Sequence, residues 1–149
     1  MSTIVLVIIG LALVFDYING FHDAANSIAT VVSTRVLSPR VAVMWAAFFN
    51  FVAFLVFPTH VSSAISKGVA LESITYNVLL ATLLGAIVWN LLTWWWGLPS
   101  SSSHALMGAF AGAGLSNTAD ISILDAGTFG KTLLFMFFAP TLGMIVGFI

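Results

Sequence analysis

Four long apolar stretches dominate the pattern of this chain and predict transmembrane helices. A span needs about 20 mainly apolar residues, because the hydrocarbon core of a bilayer is about 30 Å thick. The stretches run from Ile4 to about Val32, from Val41 to about Pro58, from about Ile74 to Trp96, and from Thr132 to Ile149. A fifth, from Gly97 to about Leu115, is shorter and begins with Gly-Leu-Pro. It predicts a re-entrant or broken helix, whose non-helical backbone must be covered by protein or line a cavity.

Polar residues interrupt the first stretch. A helix over residues 4–32 would be roughly 43 Å long, so it must tilt or break, and we expect a break at Gly20, beside Asn19. If the helix is continuous, His22 lies outside an arc of roughly 120° that holds the other polar positions. This polar stripe is typical of a surface that faces a bundle or a cavity, and comprises Asp16, Asn19, Gly20, Asp23, Asn26, Ser27, Thr30 and Thr34.

Composition supports the transmembrane interpretation. The chain is 60% hydrophobic and 6% charged, with a mean hydropathy of +1.12, whereas soluble domains carry about 25% charged residues. We therefore predict an all-α, multi-pass membrane protein in contact with lipid in the cell (inner) membrane. No basic tract suggests a nucleic-acid partner, and the absence of cysteine excludes thiol and disulfide chemistry.

The connections predict an orientation. The segment 33–40 holds two of the four basic residues, so the positive-inside rule places it in the cytoplasm and the N-terminus outside. The connection His60–Glu72 is then outside, and the polar connection Asn117–Lys131 carries solvated charges. Trp94–Trp96 is typical of an interfacial aromatic belt.

The end of the chain and its small residues predict packing with further helices. The last stretch carries an internal Pro140 and stops without a polar flank, so we expect one half of a larger transporter or a fragment of one. Pairs of glycines four residues apart favour close helix packing; they are Gly108 with Gly112 and Gly143 with Gly147.

Two polar islands lie within the apolar sequence. Asn19–Ser27 places a carboxylate, amides and an imidazole in a membrane segment, and such residues usually mark a substrate or ion path. In the second island, Pro99 suits the first turn of a helix and places the following serines, Ser100, Ser101, Ser102 and Ser103, in that turn. Free N–H groups and hydroxyls there suit an oxyanion such as phosphate. The alternative is that the serines only cap the helix.

A bound anion would need cations, because no Lys or Arg lies in a predicted span. Carboxylate and amide oxygens suit Na⁺ or a divalent metal, and the carboxylates can also take protons. The candidate groups are Asp16, Asn19, Asp23 and Asn26. We expect the anion and its cations to share one site near the membrane midplane, as in transporters with broken helices.

The two membrane histidines leave several roles open. His22 and His104 could shuttle protons, donate to phosphate or ligate a metal. His104 is the better candidate, because it follows the serines. The alternative for either residue is a plain hydrogen-bond partner.

Both islands resemble motifs of the inorganic phosphate transporter (PiT) family. Asn19–Ser27 resembles the family signature Gly-x-Asn-Asp-x-Ala-Asn, with His22 in place of the Asn, as in the bacterial low-affinity branch. Gly97–His104 resembles the second motif, Pro-x-Ser-x-Thr-His, with Ser103 in place of Thr. Trp89-Asn90 is similar to that branch too.

The resemblance implies symport of phosphate, in some cases as a complex with Mg²⁺ or another divalent metal, driven by protons or Na⁺. Phosphate would bind at Ser100–Ser103, His104 and Asn26, and the cation or proton at Asp16, Asn19, His22, Asp23 and Asn26. Family members contain two inverted repeats with one signature each. Residues 1–149 hold one signature, which implies an N-terminal repeat that needs a second repeat or another copy. No resident cofactor or metal is expected.

Other classes fit less well. An intramembrane hydrolase would use Ser, His and Asp, but Gly-x-Ser-x-Gly and His-Glu-x-x-His are both absent. An anion channel and an inactive or partner-dependent half-transporter are the alternatives to a symporter.

Overall fold

Five α-helices, and no β-strand, make up the part of the chain that the structure describes. The structure is a computed structural model and describes residues 2–56 and 67–148. The helices are α1 (Thr3–Ser33), α2 (Pro39–Val56), α3 (Tyr76–Trp95), α4 (Ser102–Thr118) and α5 (Ala126–Gly147), with 3-10 turns at Leu71–Ser73 and Ile121–Ile123. All except α4 are long and apolar enough to span a membrane. The predicted all-α membrane fold is confirmed; Pro58 and His60 lie outside the described residues.

The expected break in the first segment is wrong. α1 is one helix of 31 residues, about 46 Å long at 1.5 Å per residue. Gly20 lies inside it with no atom within 4 Å of where a Cβ would stand. A single glycine costs a helix about 1 kcal/mol, and the long apolar flanks offset that. The continuous polar stripe is therefore the arrangement that α1 adopts.

α1 and α3 pack side by side and run in the same direction. Phe15 and Ile18 of α1 share a buried cluster with Ala86 and Ile87 of α3. Further along both helices, the rings of Phe21 and Trp94 meet edge to face with centroids 5.7 Å apart. Rising residue number on α1 thus matches rising residue number on α3, which fixes the register of the pair.

α3 and α4 form an antiparallel helical hairpin whose connection, residues 96–101, we call the hairpin tip. Gly97 has a φ of +67°, a conformation that glycine adopts at no steric cost and that ends α3. Asn26 of α1 bonds to Ser100 in the tip, and α1 continues for roughly 10 Å beyond this level. The tip therefore lies beside α1 well before the end of a helix that is long and apolar enough to span a membrane. The arrangement favours the predicted re-entrant hairpin.

At the end of the hairpin opposite the tip, backbone hydrogen bonds join the segment before α3 to the segment before α5. Asp125 N–H donates to the Gly68 carbonyl at 3.0 Å, and Ala70 N–H donates to the Ile123 carbonyl at 2.8 Å. Beneath this bridge, Val69 shares a buried cluster with Val78 and Phe110. The segments before α3 and before α5 therefore lie at the same end of the molecule.

α5 begins earlier than the sequence predicted. The Asp125 side chain accepts a hydrogen bond from Thr128 N–H at 2.6 Å, and this cap starts the helix at Ala126. Lys131 therefore lies inside a helix that can span the membrane, not in a polar connection. No residue of α5 is buried, so its apolar surface is free for lipid or for further helices.

The glycine pairs make no close contact within the described residues, so their predicted packing with further helices stays a prediction. A Cβ added at any of the four positions would meet no atom within 4 Å. The close approach in the hairpin occurs instead at Gly85, where a Cβ would stand 3.4 Å from the Ala109 Cβ. The glycines that do not pack are Gly108, Gly112, Gly143 and Gly147.

Candidate functional site

The hairpin tip meets the polar stripe of α1 through Ser102. Its hydroxyl donates to Asn19 Oδ1 and lies 3.1 Å from Asp23 Oδ2. Ser102 is 1% exposed, whereas Asp23 keeps an exposed face. Three hard oxygens therefore converge at the first residue of α4, one from each side chain. An oxygen cluster of this kind suits a proton or an alkali cation.

A second contact lies one turn further along α1. Asn26 Nδ2 donates to the Ser100 carbonyl at 3.4 Å. The Ser100 hydroxyl in turn accepts a hydrogen bond from Trp89 Nε1 at 3.2 Å. The structure thus brings Asn19, Asp23 and Asn26 together with the serine run, although 79 residues separate Asp23 from Ser102.

The four serines do not act as one group. The expectation that Pro99 begins the helix is wrong, because α4 begins at Ser102. Ser101 is its N-cap and accepts from His104 N–H at 3.4 Å, so the capping alternative describes this one serine. Ser103 is exposed. The start of the helix therefore decides which serine faces α1.

A cavity of about 530 Å³ opens beside the hairpin tip. It is lined by Trp89, Ser100, Ser101 and His104 together with small residues of α3 and α4. A second cavity of about 570 Å³ separates α4 from α5 and is lined by His104 and Lys131. The exposed His104 ring thus stands between two cavities, one of which holds a basic side chain that the sequence interpretation had left in solvent.

Two predicted residues are not part of this contact. Asp16 is exposed, and it lies about two turns before Asp23 on the polar stripe. His22 is 3% exposed, because it lies on the face of α1 that packs against the rest of the bundle. The placement of His22 outside the polar stripe follows the continuous-helix prediction.

Asn90 received no functional role from the sequence beyond its part in the family resemblance. It is fully buried on α3, and neither its amide oxygen nor its amide nitrogen has a hydrogen-bond partner. The signal in the sequence was a lone amide inside an apolar span, which also fits an ordinary interhelical hydrogen bond.

Two carboxylates outside the membrane-spanning segments form hydrogen bonds with residues close to them in the sequence. Hydrogen bonds from Ser122 lower the pKa of Asp120, and hydrogen bonds from Thr128 lower the pKa of Asp125. Both carboxylates are exposed and belong to the loop before α5. Across the described ranges, no three His, Cys, Asp or Glu side chains gather in a way that could hold a metal ion.

The chain has known relatives over nearly its whole length. Residues 19–149 match the description of the phosphate transporter family. The chain belongs to that family. The family is one of transporters, so the hydrolase alternative is set aside, and the chain is a multi-pass membrane protein.

Individual relatives give the scale of the similarity. The chain is 52% identical over 140 residues to a probable low-affinity inorganic phosphate transporter of Rhizobium meliloti. This match covers 93% of the chain and 42% of the relative. It is 47% identical over 150 residues to proteins with the same description in Bacillus subtilis and Streptomyces halstedii, covering 44% and 68% of them. The chain thus spans less than half the length of the first two relatives. No solved structure matches it.

Proposed function

We propose that this chain forms one half of a low-affinity inorganic phosphate transporter, in which the α1 stripe and the hairpin tip build one ligand site. The observation that carries the proposal is the contact of Ser102 with Asn19 and Asp23, which joins the two polar islands. Family membership and the names of the relatives support phosphate as the substrate.

The coupling cation, H⁺ or Na⁺, would bind at the oxygen cluster. Asp23 supplies the negative charge, while Asn19 and Ser102 supply neutral oxygens. When the cation arrives, it competes with the Ser102 hydroxyl for the same carboxylate, so cation binding and the position of the hairpin tip are linked. Asp16, about two turns before Asp23 on the stripe, would receive the cation on its way to or from this cluster.

Phosphate would bind on the cavity side of the tip. Ser100, Ser101 and His104 line that cavity, and the hydroxyls and ring can donate hydrogen bonds to an oxyanion. Asn26 holds the Ser100 carbonyl and so joins the phosphate side to the cation side. A divalent metal carried with phosphate would reduce the charge that the site has to accommodate.

A second repeat would complete the site. The chain spans 42% and 44% of the first two relatives, and α5 offers a long apolar surface with no buried residue. Either a second repeat or another copy of the chain would cover that surface and close the cavities beside His104.

Uptake of radiolabelled phosphate into liposomes tests the proposal, with the full-length transporter that contains this chain and with pH, Na⁺ and Mg²⁺ gradients varied separately. Asp23→Asn removes the negative charge of the cation cluster, and we expect uptake to fall by about tenfold or more, since a removed ion partner is worth more than 1.4 kcal/mol. Asp120→Asn, in an exposed loop, is the matched control and should keep normal uptake.

Three outcomes would contradict parts of this proposal. Unchanged uptake in Asp23→Asn would remove the cation role of the cluster. Uptake that never exceeds equilibrium with any ion gradient would identify a channel. Uptake by liposomes that contain residues 1–149 alone would show that no second repeat is needed.

A further inference from the structure

The indole of Trp89 on α3 makes a hydrogen bond with the hairpin tip. Its Nε1–H donates to the Ser100 hydroxyl at 3.2 Å, and about half of the residue stays exposed, beside the cavity at the tip. Tryptophans near a membrane surface usually turn their polar edge to water or lipid headgroups. Here that edge contacts a side chain that the proposed function assigns to phosphate, so Trp89 has a role that an aromatic belt does not explain.

A tight ending of α3 turns the hairpin tip back along the helix. Gly97 N–H donates to the Trp94 carbonyl at 3.0 Å. Leu98 N–H donates to the Thr93 carbonyl at 2.8 Å. Such a pair of hydrogen bonds is the Schellman motif, and the positive φ of the glycine permits it. The backbone of the tip is therefore held by the end of α3 itself, which places the next residues beside the last two turns of that helix.

Ser100 is held from two helices. Asn26 of α1 donates to its backbone carbonyl at 3.4 Å, and Trp89 of α3 donates to its hydroxyl. The first contact restrains the backbone, whereas the second restrains the rotation of the side chain. Loss of the Trp89 donor would leave the Ser100 carbonyl in place and free the hydroxyl to rotate. Trp89 therefore controls the direction of the hydroxyl separately from the position of the tip.

The hydrogen-bonding capacity of a hydroxyl decides what this contact leaves for a ligand. A serine hydroxyl carries one hydrogen and two lone pairs. Because the Ser100 oxygen accepts from Trp89, its hydrogen stays available for an acceptor. The same holds for Ser101, whose oxygen accepts from His104 N–H at 3.4 Å. Both serines line the cavity of about 530 Å³, so two hydroxyl hydrogens are available there to the oxygens of an anion.

We propose that Trp89 is a positioning residue for phosphate, whose indole N–H directs the Ser100 hydroxyl hydrogen into the cavity at the hairpin tip. This inference rests on the proposed function in one respect, the binding of phosphate at the tip. The indole has a single hydrogen to donate, and Ser100 takes it. Trp89 therefore acts through the serine and does not itself hold the anion. Because a hydroxyl that is already held needs no reordering when phosphate arrives, the contact lowers the cost of binding.

The hydrogen bond itself can be tested without phosphate. In the full-length transporter, labelled with nitrogen-15 in its indole groups and held in detergent micelles, the Trp89 NMR signal is identified by its loss in Trp89→Phe. We expect Ser100→Ala to move the Trp89 indole proton signal upfield, because the acceptor of its hydrogen bond is gone. Trp95 is 79% exposed, and its signal should stay where it is. A Trp89 signal that Ser100→Ala leaves unchanged would overturn the proposal.

Phosphate uptake into liposomes measures the positioning. Trp89→Phe keeps an aromatic ring and removes the donor, so we expect the phosphate concentration for half-maximal uptake to rise by roughly threefold to tenfold, the equivalent of one hydrogen bond. The maximal rate per inserted protein should change little. Trp95→Phe is the matched control, the same substitution at an exposed position of the same helix, and should stay within about twofold of the wild type.

A fall in maximal rate with unchanged half-saturation in Trp89→Phe would contradict a positioning role. If Trp89→Phe does not insert into the membrane, Trp89→Met takes its place, since it also lacks the donor.

Combining Trp89→Phe with Ser100→Ala separates this inference from the proposed function. If Trp89 acts only through Ser100, its substitution should change the half-saturation by less than about twofold once the hydroxyl has been removed. An undiminished effect of Trp89→Phe in the Ser100→Ala background would overturn the role of Trp89 and leave the phosphate site intact. An unchanged half-saturation in Ser100→Ala alone would overturn both, because phosphate would then not use that hydroxyl.

Discussion

One hydroxyl group joins the two polar parts of this protein. Ser102 is the first residue of α4, and its side chain reaches an amide and a carboxylate on α1. Ser103, the next residue, has the same chemistry but points away and is exposed. Since consecutive residues on a helix differ by about 100° in direction, only one of the two can face the stripe. Substituting Ser102 and Ser103 one at a time therefore changes the position while the residue type stays the same.

Ser102→Ala should weaken transport far more than Ser103→Ala. The first substitution leaves Asn19 Oδ1 without its donor and frees Asp23, which is expected to raise the concentration for half-maximal uptake by about fivefold to thirtyfold, the equivalent of 1–2 kcal/mol. The second substitution should leave uptake within twofold of the wild type. Uptake kinetics in liposomes, normalised to inserted protein, measure both. Equal effects of the two substitutions would show that Ser102 has no special role.

The residues that form the site could be predicted more readily than the contact that each of them makes. The polar stripe and the serine run were recognisable because polar residues in membrane spans are rare. Which serine faces α1 depends on where α4 begins, and the sequence Pro-Ser-Ser-Ser-Ser does not determine that. No role for Asn90 could be predicted, because its burial without a hydrogen-bond partner is a property of packing.

At the scale of helices, long apolar runs were easier to predict than their ends. The spans of α1, α2 and α3 agree with the pattern to within a few residues. α5 begins before Lys131 because Asp125 caps it, and α1 passes through Gly20 without a break. A local cap stabilises a helix by about 1 kcal/mol, and an internal glycine costs a similar amount. Because these energies are small, a long-range pattern of hydrophobicity does not show where a helix starts or whether it passes through a glycine.

Gly114 and Gly112 provide a matched test of helix packing. A Cβ at Gly114 would lie 3.0 Å from Ile123 Cδ1 and 3.2 Å from Val69 Cγ1, whereas a Cβ at Gly112 would meet nothing within 4 Å. We expect Gly114→Val to destabilise the protein by about 1–3 kcal/mol more than Gly112→Val, because it overpacks the cluster beneath the loop bridge. Thermal unfolding of the two variants measures the difference, and a similar Tm for both would contradict this packing.

At the scale of the molecule, the hairpin returns the chain to the end from which α3 starts. The backbone bridge between Gly68 and Asp125 joins the connections at that end. The turn between α1 and α2, at residues 34–38, lies at the other end. The two ends of the molecule should therefore lie on opposite sides of the membrane. The predicted orientation places the turn with Arg35 in the cytoplasm.

Labelling of single cysteines, introduced into residues 1–149, tests that orientation; these residues contain no native cysteine. Val36→Cys and Ser122→Cys lie at exposed positions at opposite ends. A membrane-impermeant maleimide added to intact cells should label Ser122→Cys at once and Val36→Cys only after the membrane is opened. Labelling of both from the same side would contradict the arrangement of the helices.

The sequence distance between Asp23 and Ser102 has a consequence for synthesis of the protein. Ser102 follows Asp23 by 79 residues, which take roughly 4–16 s to translate at 5–20 residues per second. During that interval α1 must reside in or beside the bilayer with its carboxylate and amides lacking the hairpin. Something else must hydrate or shelter the stripe, such as the water inside the insertion channel. Release of α1 into lipid before α4 emerges would strand a charge there, so the protein is expected to keep its first helix near the channel until the hairpin has been made.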